Sequence, residues 1–374
     1  MKEKSLYIHI PFCSKKCLYC DFSSFAGIEY LMDDYVDALC TELLLYKDLY
    51  KFKTIFIGGG TPTFLNIKNL KKLGEVIDKL TKETDLEFTM EANPGTFDLE
   101  KLQVMKLMGV NRLSIGVQSY NNNLLDKLGR IHTIETFKEN YKLAREVGFD
   151  NINLDLMFGL PAQKVKDWDK TLENIVGLNP EHISCYSLII EEGTPFYNMY
   201  KEREGLPEED EERVMYNHAL EFLKNNGYEH YEISNFAKAK KQCRHNLAYW
   251  ELKDYLGCGS AAHSFIDGYR IENISSVNEY ISRIKAGEKP IKSTHKNSIK
   301  ESVEEFMFMG LRKIEGIDKE HFVELFNTDV HSLYDEVIKK YKSLNLLEED
   351  QVNLKLTKKG IEFSNIVMSE FILD

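Results

Sequence analysis

Cys13, Cys17 and Cys20 stand in the stretch CSKKCLYCDF, three thiols within eight residues. Thiolates at C-x3-C-x2-C spacing can wrap one face of a cubane [4Fe–4S] cluster, holding three irons and leaving the fourth without a protein ligand. Two other readings stay open. A structural zinc site needs four ligands, and only His9 or Asp21 lies near enough in sequence to add one. A C-x2-C thiol–disulfide pair is the second, although its flanks are unlike those of such pairs. The open iron is the most informative reading, because it can bind a cofactor or substrate directly.

Further polar and glycine residues follow in order. GGGTPT brings Gly59, Gly60 and Thr61, a run in which bare backbone can approach a ligand and offer N–H groups to carboxylate or ribose oxygens. Taken alone it is also a plain strand-to-helix turn, and no Gly-Lys-Ser/Thr follows that would make it a phosphate loop. EANPGT supplies Glu91, VQS supplies Gln118, LGRIH supplies Arg130 and NLDLMFGLP supplies Asp155. A guanidinium suits a carboxylate and an aspartate suits an ammonium, so this set fits a zwitterionic nucleoside.

The elements that must position these groups read clearly. LYIHIPF, KTIFIGGG, LEFTMEAN, RLSIGVQS, NINLDLMFGL and HISCYSLII are rich in β-branched or aromatic residues, and most end in Gly, Pro, Asn or Ser. Amphipathic helical stretches such as YVDALCTELLLY and NLKKLGEVIDKL lie between them. Six βα units predict a parallel α/β sheet with its ligands at the carboxyl ends of the strands. Six are too few for the eight-stranded barrel, so the expected fold is an open partial (β/α)6 barrel. Beyond it, EREGLPEEDEER opens a helix running through VMYNHALEFLKNNG, AGEKPIKSTHKNS reads as a linker, and LLEEDQVNLKLT reads as a hairpin. The expected boundaries are a core over 1–236, an extension and linker over 237–297, and a small, mainly helical C-terminal domain over 298–374.

The 374 residues, 43% hydrophobic and 29% charged, describe an ordinary globular chain, and the net charge of −12 argues against broad nucleic-acid binding. No apolar run approaches the ~18 residues that read as a membrane span, and no secretory signal is visible, so a cytoplasmic protein is expected. Clustered thiols among seven cysteines suit metal chemistry in a reducing compartment. Cys40 and Cys185 read as small hydrophobes within a helix and a strand, and FMFMG near residue 308 as core. HNLAYW places His245 beside Tyr249 and Trp250. A histidine among aromatics is commonly a hydrogen-bonded core residue, and imidazole is also a common metal ligand. His263, in GCGSAAHSF, is a second candidate of lower standing.

The cysteine motif resembles the signature of the radical S-adenosylmethionine (SAM) superfamily. There the amino and carboxylate groups of SAM chelate the fourth iron, and one electron from the cluster cleaves the sulfonium to a 5′-deoxyadenosyl radical. YIHIPFC, GGGTPT, E-x-N-P, GVQS, LGR-x-H and D-L-M-x-G-L-P in that order resemble one branch, the oxygen-independent coproporphyrinogen III oxidases and their heme-chaperone (HemW-type) relatives. The resemblance spans most of residues 7–265. It implies that Tyr7, Gly59 and Glu91 contact the SAM on the cluster. It further implies that Tyr19, Gly60, Thr61, Gln118, Arg130 and Asp155 match positions holding a second SAM in the oxidases.

One departure separates the two kinds of relative. The oxidase pattern has a further cysteine where this chain has Phe22, while HemW-type chaperones have Phe there and carry H-N-x-x-Y-W. The resemblance therefore implies a heme chaperone, with His245 as heme ligand and a recipient hemoprotein such as a membrane-bound respiratory cytochrome. A homodimer and a peripheral place at the membrane through a partner are compatible with it. The alternative is decarboxylation of coproporphyrinogen III to protoporphyrinogen IX, which Phe22 opposes; another radical SAM activity is a third possibility.

Overall fold

The computed structural model describes residues 1–373; Asp374, the last position of the expected C-terminal domain, lies outside them. The six expected strands are present as β1 (Lys2–Ile10), β2 (Tyr50–Gly59), β3 (Lys82–Ala92), β4 (Arg112–Gln118), β5 (Ile152–Phe158) and β6 (His182–Ser187). They lie parallel in the order β1-β2-β3-β4-β5-β6. Asn66, Asp98, Asn121 and Thr133 each turn a side chain onto the first turn of the helix that follows, satisfying N–H groups the helix cannot bond itself. This is the partial barrel the sequence predicts.

Successive residues of a strand face opposite ways, and here the two faces differ sharply. Ile55 and Ile57, Phe88 and Met90, Leu154 and Leu156 bury against the helices. The alternate positions are polar: Thr54, Glu87, Arg112, Asn153, His182 and Ser184 are all buried. Several of them are bonded across the barrel, whereas Arg112 Nε has no partner among the described residues. Asn153 Nδ2 donates to Ser114 Oγ at 2.8 Å, and the ring nitrogens of His182 meet Asn153 Oδ1 at 2.6 Å and the Tyr231 hydroxyl at 2.8 Å.

The sheet does not stop at six strands. β7 (Glu229–Glu232) and β8 (Asn235–Ala237) extend it antiparallel beyond β6. On the other side come β9 (Tyr255–Cys258), parallel to β1, then β10 (His263–Ile266), β11 (Tyr269–Asn273) and β12 (Ile291–Lys296), giving twelve strands. The region expected as extension and linker over 237–297 therefore adds four strands to the sheet, and AGEKPIKSTHKNS contains β12, hydrogen-bonded to β11. The linker reading failed because β12 is short, polar and mostly exposed, so it lacks the alternation that marks a half-buried strand. The acidic segment does open a helix, Glu209–Asn225. The C-terminal region has its own core, including Phe306, Met307, Phe322 and Tyr334. It carries a three-stranded antiparallel sheet formed by Ile317–Asp318, Asn353–Leu356 and Leu347–Glu349, the last two being the expected hairpin.

Glu42, buried on the helix Met32–Leu44, fastens the added strands to the barrel. Its carboxylate accepts from the Gly259 N–H at 2.8 Å, Asn273 Nδ2 at 2.9 Å and the Tyr280 hydroxyl at 2.6 Å. Burial nevertheless pushes it up to about 7 from 4.5. A carboxyl that holds its proton more tightly when folded stabilises fully below the unfolded value and loses that contribution as pH rises through the folded one. Relative to Glu42→Gln, the native protein should lose about 3 kcal/mol of unfolding free energy between pH 4.5 and 7. Denaturant titrations of both proteins across that range measure the difference; parallel profiles would contradict it.

Candidate iron–sulfur and cofactor site

The cysteine loop has no regular structure of its own, so its backbone groups must bond elsewhere. Cys13 N–H donates to Phe25 O at 2.9 Å and Phe25 N–H to Pro11 O at 2.8 Å, closing the loop on itself. Leu18 N–H reaches Leu128 O at 3.0 Å, and Leu18 O accepts from Phe196 N–H at 3.0 Å. Gly60 and Thr61 N–H donate to Ile10 and Phe12 O, both at 2.8 Å. The three thiols thus sit over the carboxyl ends of β1, β2 and β4. Cys13 is buried, and Cys17 and Cys20 are half-buried.

Space beside the loop is reserved by glycines. A Cβ at Gly60 would lie 2.7 Å from Phe12 O, 3.0 Å from Ile10 O and 3.1 Å from Cys13 Sγ. Gly59, at φ +109°, leaves room for the His9 ring. His9 has its Nε2 at 2.8 Å from Ser23 O and its Nδ1 at 3.0 Å from the Tyr7 hydroxyl. With Nε2 donating to that carbonyl, Nδ1 accepts from Tyr7, so one imidazole ties a barrel residue to the cysteine loop. This is structural work, unlike the zinc ligation considered for His9.

Glu91 ends β3 with Oε2 accepting from the Gly59 N–H at 3.1 Å. Burial, reinforced by Asp155, pushes it up to about 8. Asp155 lies mid-strand in β5, deeper than the strand end expected, and accepts from Asn153 Nδ2 at 2.8 Å and Ser114 Oγ at 3.1 Å. Gln118 ends β4 at φ +68°, a left-handed conformation that costs energy for a side chain of this kind. Tyr19 packs beside Phe196, ring centroids 6.3 Å apart. Arg130 donates to Asn93 Oδ1, to Gly116 O at 2.6 Å and to Cys17 Sγ at 3.5 Å. Asn93 Nδ2 in turn donates to Thr61 Oγ1 at 2.7 Å, and Thr61 Oγ1 is 3.5 Å from Cys13 Sγ.

These residues fit the cluster and nucleoside that the motifs imply. Among the described residues no three His, Cys, Asp or Glu side chains converge on a point that one metal ion could fill; a cubane instead spreads its thiolates over separate iron corners. Arg130 keeps a buried Nε–H with no acceptor among the described residues, a donor suited to a carboxylate ligand. The sequence singled out Tyr7, Tyr19, Gly59, Gly60, Thr61, Glu91, Gln118, Arg130 and Asp155 as contacts, but not Asn93, Ser114, Gly116, Asn153 or Phe196. Asn93 had a signal: it lies two residues past Glu91, directly after the end of β3.

His245 is not brought to this group. It lies on the helix Arg244–Trp250, with Nδ1 at 2.7 Å from Thr54 Oγ1 and Nε2 at 2.8 Å from the Tyr249 hydroxyl, and is 1% exposed. Thr54 precedes Gly58 by four residues, so His245 stands about 13 Å down the strand from the glycine turn. Glu87 accepts the Arg244 and His245 backbone N–H groups, both at 2.9 Å, and holds this helix as a plug across the barrel floor. The expected heme ligand thus has both ring nitrogens engaged and is buried in the core. The same helix walls a cleft of about 230 Å³ that also includes Tyr255, Phe265, Arg270 and Met309. That is below the ~300 Å³ at which ligand sites ordinarily begin. His263 is exposed on β10, away from the cysteines in the sheet order.

If the Gly60 gap is what seats the cysteine loop, Gly60→Ala should roughly halve the iron retained per chain after anaerobic reconstitution, because two of its three close neighbours are backbone oxygens that cannot move aside cheaply. Gly177→Ala, where a Cβ meets nothing within 4 Å, is the control and should retain the native amount. Equal iron in both variants would contradict the seating argument.

Residues 7–175 match the radical SAM superfamily and residues 298–363 the HemN C-terminal domain. The chain is 42% identical over 377 residues to the heme chaperone HemW of Bacillus subtilis (strain 168), covering 99% of each chain. It is 38% identical to the heme chaperone HemW of Lactococcus lactis, covering 100% of this chain and 98% of that one. Its fold is similar to that of the coproporphyrinogen III oxidase HemN of Escherichia coli, a radical SAM enzyme, with a TM-score of 0.87 at 23% identity over 99% of this chain and 90% of that one. The ordered motifs, the partial barrel and this end-to-end similarity place one conclusion beyond the fold alone: the chain belongs to the HemW family of the radical SAM superfamily.

Proposed function

We propose that this protein binds heme on its radical SAM scaffold and hands it to a recipient hemoprotein, without decarboxylating coproporphyrinogen III. The observation that carries the choice is Phe22. It stands where the oxidase pattern has a fourth cysteine, in the cysteine loop, and is 63% exposed. A phenyl group can neither ligate iron nor exchange a proton, so the oxidase chemistry loses a thiol it uses. The name heme chaperone carried by full-length relatives supports the same reading.

Cys13, Cys17 and Cys20 would hold the cluster. When bound, the cluster supplies an open iron to the amino and carboxylate groups of SAM and one electron to its sulfonium. The chain's own residues then do the positioning. Tyr7, Gly59 and Glu91 would hold the SAM on the cluster. Glu91, pushed up to about 8, keeps its proton at neutral pH and so offers both a donor and an acceptor to a ribose diol. Arg130 brings its unpartnered N–H to a carboxylate. Tyr19, Gly60, Thr61, Gln118 and Asp155 line the side on which a second SAM would lie.

Among the described residues no helix is long and apolar enough to cross a membrane. Delivery to a membrane-bound cytochrome would therefore proceed through contact with that partner. A homodimer is compatible with this route, and nucleic acid plays no part in it.

The test is transfer. The reconstituted protein, loaded with hemin and freed of excess, is mixed with a heme-free hemoprotein, and the Soret band is followed. A parallel sample receives coproporphyrinogen III, SAM and a reductant. Heme should remain with the protein through desalting and then pass to the acceptor, and no protoporphyrinogen should accumulate. His245→Ala should retain heme as well as the native protein while losing about 1–3 kcal/mol of stability for each hydroxyl left without its partner. Multiple-turnover decarboxylation, or no heme retained by the native protein, would overturn the proposal. Loss of heme by a folded His245→Ala would return that histidine to the heme site.

A further inference from the structure

Asn93 joins two of the cluster cysteines through one amide. A guanidinium has donors only, so the side chain bonded to Arg130 must turn its oxygen to that residue and its nitrogen to Thr61. The amide N–H then occupies a lone pair of the Thr61 hydroxyl. The hydroxyl's own proton is left for Cys13 Sγ at 3.5 Å. On the other side Arg130, held against Asn93 and Gly116 O, directs its Nη1–H to Cys17 Sγ at 3.5 Å. Gly116 makes room for the arrangement: a Cβ there would stand 2.8 Å from Asn93 Oδ1 and 3.2 Å from Arg130 Nη2.

We infer that Asn93 is a positioning residue that aims one hydrogen-bond donor at each of two cluster sulfurs and so holds the cluster's reduction potential up. Donors to ligating sulfurs stabilise the added negative charge of the reduced cluster, and outer partners of this kind tune metal sites. The inference rests on the cluster reading of Cys13, Cys17 and Cys20. Asparagine is required by its two-sidedness. Aspartate has nearly the same shape and keeps the Arg130 bond, but it accepts where Asn93 donates. The Thr61 hydroxyl would then give its proton to the carboxylate, and Cys13 would lose its donor.

The experiment compares the reconstituted native protein with Asn93→Asp, Thr61→Val and the double variant. Iron and sulfide are counted first, then the reduction potential is read by redox titration monitored by electron paramagnetic resonance. Each single variant should move the potential to more negative values. The double variant should fall short of the sum, since both changes remove the same donor, as coupled sites do. Additive shifts would mean that aspartate acts as a bare charge and would overturn the inference. An unchanged potential in Thr61→Val would overturn it alone, even if Asn93→Asp retained no cluster. A native protein that retains no iron would sink the underlying cluster reading as well, so the two failures are distinguishable.

Discussion

The site depends on holding an irregular loop still. Three thiols that share one inorganic cluster must keep fixed relative positions, yet the loop bearing them has neither helix nor extended strand. Its order comes from backbone hydrogen bonds to the segments around it: the β1 exit, the β2 glycine turn, the loop after β4 and the helix starting at Pro195. Each partner segment is the end of an element packed in the core, so the rigidity of the barrel passes to the cysteines. The same turns that grip the loop carry Gly59, Gly60, Thr61 and Arg130. On the proposed reading, cluster seating and cofactor binding are therefore one piece of construction.

A second constraint is the polar inner face of the barrel. Parallel sheets are usually covered on both sides and read as nearly continuous apolar runs. Here every second residue of β2 to β6 faces an interior that is closed below by the helix Arg244–Trp250. Glu87 takes two N–H groups at the start of that helix, Thr54 meets His245, and His182 meets Tyr231. Burying so many polar groups is tolerable because most have partners; Arg112 Nε and Thr89 Oγ1 are exceptions among the described residues. The floor is accordingly a hydrogen-bonded network. The mouth above it keeps donors such as Arg130 Nε without partners among the described residues.

Much of this was legible in the sequence because it is local. The six parallel strands, the cysteine spacing and the C-terminal hairpin all follow from patterns a few residues long. LEFTMEAN and NLDLMF even display the alternation that makes the barrel interior polar. What escaped was non-local. β9 pairs with β1 across some 250 positions of chain, Ser5 opposite Tyr255, and nothing in either segment names the other. β12 is exposed and polar, so it read as linker. HNLAYW drew attention for its chemistry, but whether a histidine's nitrogens are free depends on Thr54, 191 residues away. Asn93 was quoted inside its motif and passed over because its two partners come from different loops.

The central claim is that three thiolates at the barrel mouth hold a cluster with one iron open to SAM. Its most direct measurement is pulsed electron paramagnetic resonance of the reduced, reconstituted protein with SAM isotopically labelled at its methionyl amino and carboxylate groups. The account predicts hyperfine coupling between both labels and the cluster, lost when unlabelled SAM is supplied in excess. A reduced four-iron cluster that shows no coupling to either label would contradict it, because its fourth iron would then be closed to the cofactor.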